Sequence, residues 1–114
     1  MSYPVITLTK TGTGRSSVHI PDTFEDPFNI GIGCVVSGTG TVTYSVQHTF
    51  EDVFSPTFDA STATWFSNSG ITDKTANTDG NYAYPVNGIS LNITAKTGTP
   101  GPTVTVYILQ AGAR

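Results

Sequence analysis

The sequence predicts an all-β fold: an antiparallel β-sandwich of about seven or eight strands, jelly-roll or immunoglobulin-like in connectivity, with at most one short helix. Three observations predict it. Apolar residues recur with a period of two, and no 3.6-residue pattern persists over ten or more residues. Glycine and proline, at 12 and 7 positions, punctuate the chain at short intervals. Threonine fills twenty positions, and its β-branched side chain fits a pleated surface with one wet face.

The elements follow in order. "VITLT" and "SSVHI" read as two strands joined through the turn residues "KTGTG". In "FNIGIGCVV", Phe28, Ile30, Ile32, Cys34 and Val36 share one face; in "VTYSVQHTF", Val42, Tyr44, Val46, His48 and Phe50 do the same. Joining these rows through Gly38-Thr39-Gly40 predicts a three-residue hairpin, with Val36 opposite Val42, Ile30 opposite His48 and Phe28 opposite Phe50. "FSPTFDASTATWFSNSG" is expected to hold a short helix or irregular loop around Ala60–Phe66. "TANTDGNYAYP" reads as a turn at Asp79-Gly80 and then a short strand. A second predicted hairpin pairs Ile89, Leu91, Ile93 and Ala95 with Val104, Val106 and Ile108 across "TGTPGP". Tyr107 and Leu109 fall on the other face of that last strand. They are expected to lie under the middle segment or against another chain.

Composition narrows the function classes. A chain of 114 residues is expected to form one domain, with Met1 to Pro4 as a free arm. Charged residues make up only 11% and net charge is −3, against a usual charged fraction of about 25%. There is no Lys/Arg cluster, so no nucleic-acid partner is expected. No apolar run approaches the ~20 residues of a membrane helix, and "MSYPVITLTK" lacks a signal-peptide pattern. The single cysteine, Cys34, excludes an internal disulfide. This fits synthesis in a reducing cytoplasm.

No catalytic motif and no cofactor motif is present, so the chain is not expected to be an enzyme or to carry a cofactor. The tetrapeptide Thr-Phe-Glu-Asp occurs at Thr23–Asp26 and again at Thr49–Asp52. In the predicted first hairpin, Asp26 falls opposite Asp52 at the open mouth. Glu25, Asp26, Glu51 and Asp52 there form either a solvated acidic rim or a cation site. A glycosidase-like acid/base pair would also need a cleft and one raised pKa. His48 reads as a core-margin histidine and Cys34 as a small hydrophobe. The glycines of "GIGCVVSGTG" fit bulges or close strand contacts rather than a phosphate loop. Trp65, Phe66, Tyr82 and Tyr84 would plug the open end of the sandwich, anchor a protein interface or stack on sugar rings. With Tyr107 and Leu109 they are the interface candidates.

The runs "SGTGTVTYSVQHTFEDVFS", "WFSNSG", "YAYPVNGISLNITAKTG" and "VTVYILQAG", spanning Ser37 to Gly112, resemble short β-rich virion proteins of tailed bacteriophages. The resemblance rests on strand text and turn placement. It implies a structural role: a capsid decoration or cement protein on the virion surface, often a homotrimer, with the major capsid protein as partner. The alternatives it implies are a head–tail or tail component, or a host-attachment module that binds carbohydrate. Unlike many cement proteins, the chain is expected to lack a long N-terminal arm, since only Met1 to Pro4 reads as free.

Overall fold

The computed structural model describes residues 5–23 and 28–111. Eight strands run β1 (Ile6–Thr11), β2 (Gly14–Arg15), β3 (Asn29–Ser37), β4 (Val42–Thr49), β5 (Phe66–Ser67), β6 (Thr78–Tyr82), β7 (Gly88–Lys96) and β8 (Thr103–Ala111). They form two antiparallel four-stranded sheets, ordered β1-β8-β3-β6 and β2-β7-β4-β5. No helix occurs among the described residues. The chain changes sheet between consecutive strands at every step except β4 to β5. That alternation, with this strand order, is jelly-roll connectivity rather than the immunoglobulin arrangement.

Both predicted hairpins are corrected. The inward rows are as the alternation predicts: Ile30, Ile32 and Cys34 of β3 are buried, as are Val42, Tyr44, Val46 and His48 of β4. Yet β3 pairs with β8 and β6, while β4 pairs with β7 and β5. The rows therefore meet face to face across the core instead of edge to edge. Likewise Val106 pairs with Cys34, and Ile93 with Tyr44. Residues 38–41 and 97–102 are thus arches between sheets, and the arches lie side by side. Thr97 donates its backbone N–H to the Thr41 carbonyl at 2.9 Å, and Thr41 donates its own to Thr97 Oγ1 at 2.9 Å. Period two reports which face is buried, and a facing sheet buries it as well as a hairpin partner would.

The first strand is as expected, but "SSVHI" is not a regular strand. It follows the edge of β7 through Ser16 N–H to Leu91 O and a two-way bond between His19 and Ile89. Asp79-Gly80 is no turn either and lies inside β6. Gly80 pairs with Ile32 on the inner face, and a Cβ there would stand 2.9 Å from Ile71 Cδ1. Ile71, fully buried, fills that space from the middle segment. Of the short helix or irregular loop expected around Ala60–Phe66, the loop is what forms, with one turn at Asp59–Ala63 closed by the Ala63 N–H to Asp59 O bond. The Asp59 carboxylate caps that turn, accepting from the Ser61 N–H and hydroxyl.

The core combines the inward rows of both sheets, with Tyr44, Tyr82, Ile71 and Val86 among its fully buried members. Each such side chain contributes about 1.5–3 kcal/mol by leaving water. Cys34 is 2% exposed, and burial pushes its thiol up to about 11. It should therefore resist labelling by a thiol reagent such as DTNB in the folded protein and react fully in denaturant. Fast native labelling would contradict its place in the core.

Candidate functional site: an aromatic cluster at the end of the sandwich

The inward row of β4 ends in His48, and the chain turns out just beyond it at Phe50. β5 sets Phe66 beside His48 as its registered partner. β6 ends in the buried Tyr82, and Tyr84 follows two residues later. Five rings meet here. His48 lies 4.9 Å from Tyr82, 5.4 Å from Phe50, 5.8 Å from Tyr84 and 6.0 Å from Phe66 between centroids. Phe50 lies 5.8 Å from Phe66 and 6.4 Å from Tyr84, nearly parallel to the latter.

The cluster has a dry base and a wet top. His48 is 4% exposed and Tyr82 0%, and they share a 2.8 Å hydrogen bond between Nδ1 and the phenol oxygen. Burial lowers the His48 pKa, keeping the imidazole neutral, and pushes the Tyr82 phenol far above its ordinary value. Above this pair, Phe50, Phe66 and Tyr84 are 52%, 50% and 47% exposed. The loop carrying Phe50 is tied down by Asn87, whose amide donates to the carbonyls of Phe50 and Glu51.

Of the candidate residues, Phe66 and Tyr84 come together, while Tyr82 supports them from inside the core. Trp65 stands apart on the outer face of the second sheet. It is half-buried, with the Arg15 guanidinium 4.2 Å above its ring and its Nε1–H donated to Ala60 O. Arg15 in turn donates to Gln47 Oε1 at 2.7 Å. Tyr107 and Leu109 lie on the outer face of the first sheet, 45% and 49% exposed, without cover from the middle segment. The alternating row predicts Phe50 on the same face as His48, yet Phe50 is exposed. The strand ends at Thr49, and that end was the available sign that the next ring could leave the core.

The β3–β4 hairpin that was expected to set Asp26 opposite Asp52 is absent, since β3 pairs with β8 and β6 and β4 with β7 and β5. Glu25 and Asp26 lie outside the described residues. Glu51 accepts the Thr64 N–H at 2.6 Å, and Asp52 accepts the Phe54 N–H in a local turn. Both carboxylates thus order the connection between β4 and β5. Among the described residues, no three His, Cys, Asp or Glu side chains converge as a metal site. No known family matches the chain, and neither a curated protein nor a solved structure does.

Proposed function

We propose that this chain is a non-enzymatic structural protein of a phage virion. In this reading it is a decoration or cement protein that binds the outer capsid shell as a homotrimer and stabilises it by contact. The observation that carries the reading is the Phe50–Phe66–Tyr84 cluster. Three half-exposed rings stand on a buried, hydrogen-bonded base. Rigid aromatics of this kind dominate binding energy at protein interfaces and lose little side-chain entropy there. The resemblance of Ser37–Gly112 to small virion proteins points the same way. Jelly rolls also serve in viral capsids and lectins, an analogy of fold rather than of site. Many copies on one particle would let a modest interface hold.

The test is co-sedimentation with shells of the major capsid protein encoded in the same genome. Wild-type protein, trimeric by light scattering, is expected to saturate the shells. The Phe66→Ala/Tyr84→Ala variant should bind about 30-fold more weakly, the loss of a hot spot of ~2 kcal/mol. Unchanged binding by that variant would remove the cluster from the interface. A monomer that ignores shells but binds host-surface glycans through the same rings would establish the alternative role in host attachment.

A further inference from the structure

The outer face of the first sheet carries a second feature. Outward positions on β3 alternate through Gly31, Gly33 and Val35. Gly33 is flanked in register by Tyr107 of β8 and Asp79 of β6, and Gly31 by Leu109 and Asn81. Neither glycine bulges, and a Cβ on Gly33 would meet nothing within 4 Å. At Gly33 the expected bulge or close contact is therefore replaced by open space, whereas Gly40 of the same run has the close contact expected of it. Two consecutive outward glycines on an inner strand make a trough about one strand wide, with walls ~10 Å apart between backbones. A cavity of about 420 Å³ lies elsewhere between the two arches, whereas about 340 Å³ opens here against Gly33, Asp79 and Tyr107.

The walls differ. The β8 side is an aromatic ring and a leucine; the β6 side is a carboxylate and an amide. Among the described residues of these four strands, Asp79 is the one charged residue on the outward face, beside Thr, Asn, Ser, Gly, Val, Tyr and Leu. Its carboxylate has no hydrogen bond or ion pair within the described residues. A face this poor in charge and carrying exposed Tyr107, Leu109 and Val35 has the composition of an interface core.

We propose that this trough receives an arginine side chain of a protein partner. Its guanidinium would sit between the Tyr107 ring and the Asp79 carboxylate, and its stem would cross the glycine floor against Leu109. Charge complementarity selects this occupant: an apolar knob offers the lone carboxylate no donor and a neutral sugar offers hydroxyl donors without charge, whereas a guanidinium neutralises it and stacks on the ring at once. The site lies on a different face from the aromatic cluster and stands whether or not shells bind there.

The experiment is an amide-resolved NMR titration of the full chain with N-acetyl-arginine amide, using N-acetyl-citrulline amide as its uncharged counterpart. Shifts are expected at Gly31, Gly33, Asp79 and Tyr107 with the arginine probe, fading at high salt. Asp79→Asn should weaken them about fivefold, the range of an exposed ion pair. Gly33→Val should abolish them while the protein stays folded, since a β-branched residue suits an open strand position. Equal shifts with citrulline, shifts elsewhere, or unchanged binding by Asp79→Asn would overturn the proposal. So would salt-independent shifts at these amides with simple glycosides and none with arginine.

Discussion

Gly40→Ala should destabilise the protein by about 3 kcal/mol or more, combining left-handed backbone strain with overpacking. Gly40 has φ of 108°, where an L side chain is strained. An added methyl would also collide with the Thr97 carbonyl oxygen and stand 3.3 Å from Pro102 Cδ. Thr97 cannot yield cheaply, because its backbone N–H and side chain are both bonded to Thr41. Gly12→Ala supplies the control. Its φ is 87°, but nothing lies within 4 Å of its Cβ position. Strain alone should cost that variant about 1–2 kcal/mol. Urea unfolding of both variants reads the difference. Equal losses would mean that the Gly40 methyl meets no resistance from Thr97 and that the two arches do not touch.

That comparison also shows where the sequence stops being informative. The fold class, the inward rows of β3, β4 and β8, the Ile89–Leu91–Ile93 row of β7 and the burial of Cys34 are legible from period-two alternation, but Ala95 leaves its row, because a register shift at Thr43/Tyr44 pairs it with Thr43 and exposes it. Strand partners are not legible. A Gly-X-Gly link suits a tight hairpin and an arch equally, and only the later segment carrying Thr97 decides between them. The Asp79-Gly80 pair misled for a related reason: the dipeptide favours turns, but Gly80 is small because Ile71 occupies its side-chain space. The aromatic candidates were legible as residues but not as a group. Phe66 and Tyr84 join through His48 of β4 and Phe50 just beyond its end, and Trp65 is drawn away by Arg15. The glycine trough needed the register of three strands before its walls could be named.

Tyr82 is the position where stability and the proposed binding surface meet. Tyr82→Ala should cost about 3–5 kcal/mol, as for other buried aromatics cut to alanine. It should also weaken shell binding, since the exposed rings would lose their support. Tyr82→Phe isolates the hydrogen bond. It keeps the ring and leaves His48 Nδ1 buried without its partner, a loss of about 1–3 kcal/mol. Acid should expose the same pair. Burial places the folded pKa of His48 below that of the unfolded chain, near ~6.5. Above that pH both states are neutral and the contribution is complete. As pH falls below it, the unfolded state takes the proton first, and stability declines until the folded pKa is reached. His19 is shifted in the same direction by burial and adds to the slope. Each histidine contributes at most about 1.4 kcal/mol per pH unit. Urea midpoints should therefore drop between pH 7.5 and pH 5, and His48→Phe, which keeps an aromatic ring at that position, should flatten part of the decline. A slope unchanged in His48→Phe would mean that this imidazole is not held neutral by the core, and the rings above it would then lack the dry base on which their rigidity depends.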